Sequence, residues 1–427
     1  MKHQNSTIPR ENEEGQPTII PSSGEVLQDG SFLELVREPS GSDKVSLLHW
    51  KSGQATVAQE HVLGSRAYVA TENAQYIRQL PGKPVPYAST EELFHEVDDF
   101  FSKFVTVWDN DKLLLAHFCF ASYFYDCLSM SPCLLLGGPS PLDGVSVLQV
   151  LACVCRHPVL LAKATVSSLP HELSPTRLIC QPNANLESWL PALLFPRLGF
   201  VDRGLRRMRG ATAVFVGCEK LTTPFADACL SVSLPPQLMS FSIQDEEHQD
   251  VPVQKLRNQL LRYRLENFSR VRAAGLDTSH FRGSTRELVR TLGTCIVDAP
   301  AIQDRLVALL EPREDASRIE SATSFRAVII EALIAACHEQ KPSIYVGEIT
   351  ELANGILTRN EETVILRPKQ VGAILKHLGL STTRLDSQGR GIYLLGPGCS
   401  LIHRLAEAYG VPAIREGLPG CPHCHPS

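Results

Sequence analysis

The segment LLLGGPSPLDGVSVLQVL, Leu134 to Leu151, holds the residues whose types and spacing come nearest to chemistry. An apolar run, a glycine turn and a helix-like stretch are the parts of a phosphate-binding loop, GxxxxGK[ST]. There, backbone N–H groups surround phosphate, a lysine reaches the β and γ phosphates, and a hydroxyl holds magnesium. Aligned without gaps, Gly138 takes the first glycine, Asp143 the second, Gly144 the lysine position and Val145 the hydroxyl position. A carboxylate about 4 Å from phosphate costs on the order of 4 kcal/mol at surface-like dielectric, and the attraction of the lysine is lost as well. Sliding the register by one makes Gly144 the second glycine and Ser146 the hydroxyl, but Val145 then occupies the lysine slot.

A working site of this type carries an acidic pair after its third strand, one carboxylate for the metal and one for water. PTRLICQPN offers Cys180 and Gln181 there, and neither is a carboxylate ligand for a hard metal. Two sites far apart in sequence lack the same chemistry. The expectation is a degenerate nucleotide-binding loop with no catalytic residue and no required cofactor, able at most to hold ATP without splitting it. The alternative is an active ATPase or helicase subunit whose cation comes from Lys163, Lys220 or an arginine of a neighbouring subunit in a homo-oligomer.

These residues need a sheet to position them. CLLLG (133–137), PVLLA (158–162), TRLIC (176–180), TAVFVG (212–217) and CLSVSL (229–234) are five short apolar runs, several bounded by Gly or Pro. Leu148, Leu151, Ala152 and Cys155 fall on one helix face between the first two. Alternating strands and helices imply a parallel sheet covered by helices. The fold class expected is therefore α/β: a P-loop NTPase-like core with a small N-terminal β-rich region, a helical segment and a C-terminal winged helix.

The boundaries expected are a disordered leader (1–23), a β-rich domain (24–84), the α/β core (85–243), a basic helical segment (251–317), a winged-helix-like domain (318–412) and a Cys/His tail (413–427). SFLEL, VSLLHW and RAYVAT read as strands of the second region. LPGKPVPYAS reads as a hinge, after which Ser89 and Glu92 form a capping-box pattern. The acidic run QDEEHQD (244–250) reads as a break. Beyond it, residues 251–311 hold ten Lys or Arg against six Asp or Glu, read either as solvated faces of packed helices or as a phosphate-facing surface.

FRAVIIEALIAACHE, VGEITELANGIL and LRPKQVGAILKHLGL read as three helices, and TTRLDSQGRGIYLL as two strands around a turn. Three helices and a hairpin describe a winged helix, whose third helix enters the major groove while the hairpin touches backbone. Arg367, Lys369, Gln370 and Lys376 then belong to the third helix, and Arg384 and Arg390 to the wing, as DNA-contacting candidates. The unit is nearly neutral, with nine basic and eight acidic residues between 321 and 412, so a DNA-associated protein is the other partner considered.

The run from Leu113 to Ala162, together with SPTRLICQPN, resembles the AAA-type ATPase core of bacterial and phage-borne primase-helicase-like proteins. The likeness covers roughly residues 86 to 240. By that resemblance Gly138 to Val145 match the nucleotide loop and Cys180 and Gln181 match the acidic pair, and every decisive residue departs from the family. The resemblance, with the C-terminal unit, implies a DNA- or protein-binding accessory factor in replication or mobile-element maintenance.

Composition excludes other classes. The chain has 427 residues, 43% hydrophobic and 20% charged, with a formal net charge of -5. That is the composition of a globular protein, without a polyelectrolyte grip on nucleic acid or membrane. The most apolar stretch, Leu113 to Phe124, is short of the roughly 20 residues a membrane span needs. Thirteen cysteines and no secretory pattern predict reduced thiols in the cytoplasm. CPHCH offers Cys421, Cys424 and His425 as half a zinc site, with His403 or Cys399 as further ligands if the tail folds back. No GxSxG or HExxH motif is present, and His95, His117 and His171 read as surface or satisfied core positions.

Overall fold

The computed structural model describes residues 17–37, 44–77, 79–163, 175–181, 186–201, 205–218, 225–235, 244–279, 281, 283–322, 324–360, 362, 364–386 and 389–411, with backbone alone for 199–201, 205–207, 244–251 and 313–322. The chain divides into two compact units, Met1–Leu309 and Leu310–Ser427.

The first unit opens with β1 (Thr18–Ser22), β2 (Glu25–Val26), β3 (Phe32–Arg37), β4 (Val45–Lys51), β5 (Gln54–Ala58), β6 (Glu60–Leu63) and β7 (Arg66–Ala70). They form a four-stranded sheet, β2-β3-β4-β5, and a three-stranded one, β1-β7-β6. Thr18 to Ser22 lie inside the stretch expected to be a disordered leader. They form a strand because β7, more than forty positions on, gives their backbone a parallel partner from Arg66 to Ala70. Leu33, Leu35, Leu47 and Tyr68 make this region's core, and Val159 of the next layer joins it.

Next come α1 (Thr90–Phe104), α2 (Asp109–Ser122), β8 (Cys133–Gly137), α3 (Pro141–Val154), β9 (Pro158–Leu161), β10 (Thr176–Ile179), α4 (Leu186–Leu194), the hairpin β11 (Gly199–Val201) and β12 (Leu205–Arg207), β13 (Thr212–Gly217) and β14 (Leu230–Ser233). Ser89 caps α1 by accepting from the Glu92 N–H at 3.1 Å. The five apolar runs form one sheet in the order β14-β8-β13-β10-β9. Every pairing in it is parallel. Its middle strands are buried along nearly their whole length, which is why they read as continuous apolar runs rather than alternating ones.

Three helices complete the unit: α5 (Gln244–Ala273), α6 (Gly283–Gly293) and α7 (Pro300–Ala322), the last running past the division between units. The acidic run expected to be a break is the start of α5. The Pro-rich segment expected to be a hinge is tied down: Asn258 on α5 accepts from the Gly82 N–H at 2.7 Å and takes the Val85 N–H on its carbonyl.

The second unit has α8 (Phe325–His338), β15 (Ser343–Tyr345), α9 (Val346–Arg359), α10 (Pro368–His377), β16 (Thr383–Arg384), β17 (Arg390–Tyr393) and α11 (Pro397–Ala408). The strands form an antiparallel sheet in the order β15-β17-β16. Its core gathers Ile330, Leu333, Ile344, Ile349, Val371, Leu375, Ile392 and Ile402. Among the described residues no helix is long and apolar enough to cross a membrane.

Candidate nucleotide loop and nucleic-acid interface

β8 leads into the loop at the carboxyl edge of the sheet, and its neighbours β14 and β13 come much later in the chain. A reversal of strand order at the carboxyl ends is where open α/β sheets bind ligands. The loop itself is different from a phosphate cradle. Only Gly138, Pro139 and Ser140 separate β8 from α3. Ser140 caps the helix by accepting from the Asp143 N–H at 3.4 Å, and Pro141 stands at its first position.

The N–H groups of this turn are largely spent. Gly138 donates to the Gly217 carbonyl at 2.9 Å and Gly144 to the Ser140 carbonyl at 3.3 Å. Pro139 and Pro141 have no N–H to offer. A Cβ on Gly138 would lie 2.9 Å from Leu234 Cβ, so Leu234 already covers the backbone a phosphate would approach. Gly144 has a packing role: a Cβ there would meet the Phe215 ring at 2.2 Å. Asp143 lies in the first turn of α3, where the dipole favours its carboxylate. Val145 is half-buried on the same helix. Two prolines within four positions were the sequence signal for a loop without donors, and motif alignment alone passes over it.

The sheet register puts the second candidate pair on the same edge. Ile179 aligns with Val214 and Val214 with Leu135, so Cys180 and Gln181 sit beyond β10, two strands or about 10 Å from the loop. Cys180 is half-buried, with its thiol pushed up by that burial, and Gln181 is exposed. Lys163 follows β9, three strands or about 14 Å from β8, which does not bring it to the loop; Lys220 lies outside the described residues.

Of the described basic side chains in 251–311, Lys255, Arg270, Arg272, Arg286, Arg290 and Arg305 are exposed and Arg262 is half-buried, while two turn inward. Arg257 and Arg264 of α5 are 4% and 0% exposed. Arg264 Nε donates to Glu34 at 2.7 Å and its other nitrogens hold Asp126, while Arg156 Nη2 donates to Glu34 at 2.9 Å. Burial pushes the Glu34 carboxyl up, but Arg156 and Arg264 outweigh it and hold it well below the usual range. Beside them His157, buried and facing Arg156, falls to about 4 and is neutral at neutral pH. Arg257 is bonded to Gln79 and Gln254, and Arg262 stacks on Trp50 at 4.6 Å. Sequence reasoning missed this cluster because Glu34 lies 122 and 230 positions from Arg156 and Arg264, and Asp126 lies 138 from Arg264.

In the second unit Arg367, Lys369, Gln370, Lys376, Arg384 and Arg390 are all exposed. Gln370 Oε1 accepts from the Arg367 N–H at 2.9 Å, so that oxygen caps α10 rather than standing free for a base. Arg384 and Arg390 are direct cross-strand partners. Each is steadied by a carbonyl, Arg384 by that of Asp386 at 3.2 Å and Arg390 by that of Thr382 at 2.7 Å. Between α9, α10 and the hairpin lies a 420 Å³ cleft lined by Tyr345, Gly347, Gly372, Thr382 and Arg390, among others. Cys421, Cys424 and His425 lie outside the described residues. Cys399 and His403 stand together on α11, with the His338 ring 5.6 Å from that of His403, and no group of three metal-ligating side chains occurs among the described residues.

No protein-family model and no curated protein matches the chain. Solved structures do align with it. The A form apo structure of the NrS-1 C-terminal region aligns at 8% identity over 84% of this chain and 96% of that one, with a TM-score of 0.31. Drosophila ORC bound to DNA aligns at 13% identity over 77% and 94%, with a TM-score of 0.20. Cdc6p from Pyrobaculum aerophilum aligns at 10% identity over 79% and 98%, with a TM-score of 0.18. TM-scores this low carry no argument about fold or function, which rest on strand order, capping and exposure.

Proposed function

We propose that this chain is a DNA-binding accessory protein in which an ATPase-like sheet serves as scaffold and the C-terminal unit, a winged helix, grips duplex DNA without nucleotide turnover. The observation that carries the DNA reading is the placement of Arg384 directly opposite Arg390 on an exposed hairpin. Facing like charges destabilise a strand pair, and an anion between them removes the penalty. α10 supplies Lys369 and Lys376 on its exposed face, in the order helix, strand, helix, helix, hairpin that places the third helix in the major groove. The scaffold reading draws on the capped, proline-flanked turn at Ser140, where the N–H groups of Gly138, Asp143 and Gly144 are already engaged.

The test is fluorescence anisotropy of a labelled duplex with the full chain, with and without ATP and magnesium, beside a phosphate-release assay. Binding independent of nucleotide and absence of release are expected. Phosphate release that tracks protein concentration and survives repurification would overturn the scaffold reading. Unchanged DNA binding in the Lys369→Ala/Lys376→Ala double variant would overturn the DNA reading. It would then favour a DNA-associated protein as the partner, a role for which the exposed Ile365, Tyr393 and Leu395 supply apolar surface.

A further inference from the structure

α1, α2 and α7 line a partly open cavity of 130 Å³ bounded by Phe94, His95, Leu113, His117, Ile302 and Arg305 among others. An engineered cavity of about 150 Å³ accepts benzene, so this one has room for about six heavy atoms. Two features distinguish it from an unfilled packing gap. His117 is 1% exposed, yet its Nδ1 has no hydrogen-bond partner among the described residues. A buried polar atom left so costs about 1–3 kcal/mol and calls for an explanation. Arg305, on the α7 wall, makes no hydrogen bond or ion pair among the described residues.

We infer that this cavity binds a small monocarboxylate. Burial, with Arg305 adding to it, drives the His117 imidazole to about 3, so the ring is neutral and carries one N–H. His117 and Arg305 both line the pocket, and with the proton on the unpartnered Nδ1 the pair supplies donors suited to the two oxygens of a carboxylate. Phe94, Leu113 and Ile302 give the apolar wall for a body of a few carbons. Glu91 also lines the cavity, and Asp98, two turns further along α1, lies in the field of Arg305. Two carboxylates beside one guanidinium weaken the hold on any anion, which keeps a monocarboxylate in the millimolar range and disfavours a dicarboxylate further. The site belongs to the first unit and does not depend on the DNA reading.

The probes are butyrate, butyramide and succinate, titrated into the full-length protein while the histidine ring nitrogens are followed by 15N NMR. The His117 signal is identified by its absence in His117→Asn. Butyrate is expected to shift that signal saturably in the millimolar range, with butyramide and succinate weaker. Arg305→Gln, at an exposed position, is expected to weaken butyrate by at least about tenfold, and Ala301→Leu, which narrows the cavity, to abolish the shift. If His117→Asn does not fold, butyrate affinities of the two exposed-site variants measured by calorimetry decide the matter. A cavity holding water only, seen as no saturable shift, would overturn the inference; so would equal binding of butyramide or succinate, or an unchanged affinity in Arg305→Gln.

Discussion

Glu34 and Arg264 stand 230 positions apart in sequence and meet at 2.7 Å, at 1% and 0% exposure. The bond joins the N-terminal sheet to α5, and Arg156 joins the same carboxylate from the turn after α3. Removing one partner of a buried ion pair leaves an uncompensated charge, at a cost of about 3–5 kcal/mol. Glu34→Gln is therefore expected to lower the urea midpoint sharply. Lys51→Met, which breaks the exposed pair with Asp29, is expected to leave it nearly unchanged. Equal midpoints for the two variants would show that the buried cluster does not hold the sheets together.

Acid is expected to loosen the first unit before carboxylates titrate. Burial lowers His117 from 6.5 to about 3 and His157 from 6.5 to about 4. In the unfolded chain both accept a proton near pH 6.5, while the folded chain keeps them neutral. The unfolded state thus binds more protons between pH 6.5 and about 4, and stability falls as pH falls through that window. Each histidine contributes up to about 1.4 kcal/mol per pH unit. Glu34 adds in the same direction below pH 4.5, since its folded carboxyl lies lower. The urea midpoint at pH 5 is expected below that at pH 7, with a smaller difference in His157→Asn; identical midpoints at the two pH values would contradict the neutral buried rings.

Restoring a lysine at position 144 is not expected to restore nucleotide binding. Helix propensity alone favours replacing a glycine in α3 by about 1 kcal/mol. Against that, a Cβ 2.2 Å from the Phe215 ring forces α3 away from β13, and overpacking of this kind costs about 1–3 kcal/mol. The clash wins, so Gly144→Ala is expected to lower the thermal midpoint and Gly144→Lys to lower it further without gain of ATP in a filter-binding assay. A rise in midpoint for Gly144→Ala would show that this glycine is there for the loop and not for packing.

How much of this was legible in the sequence depends on the range of the interactions. The five strands of the parallel sheet stand within a residue or so of their apolar runs, because burial on both faces leaves a local record. α8, α9, α10 and the β16–β17 hairpin of the C-terminal unit are equally plain, their apolar residues recurring at helical spacing or flanking a turn, whereas β15, whose Ile344 pairs with Ile392 of β17, 48 positions on, and α11 were not read from the sequence. β1 and the interior of α5 were not legible. Ile20 is a strand residue only because Tyr68 lies beside it, and Arg264 reads as a surface cation until Glu34 and Asp126 surround it. The loop falls between these cases. Its missing lysine is a local fact, as are Pro139 and Pro141, while the cover supplied by Leu234 comes from another strand's end.

The arginine pair of the hairpin separates function from stability. Arg384 and Arg390 face each other across β16 and β17, and side chains so placed repel by a few tenths of a kcal/mol to about 1 kcal/mol. If the pair exists to meet phosphate, relieving it is neutral or favourable for folding and unfavourable for DNA. Arg384→Gln/Arg390→Gln is expected to keep or raise the thermal midpoint while weakening duplex binding, with the slope of log K against log salt smaller in size by about 1.8, the release of two counterions. The carbonyls of Asp386 and Thr382 that steady the two guanidinium groups limit the gain in midpoint. A fall in midpoint with an unchanged salt slope would mean that the arginines brace the hairpin and touch no phosphate.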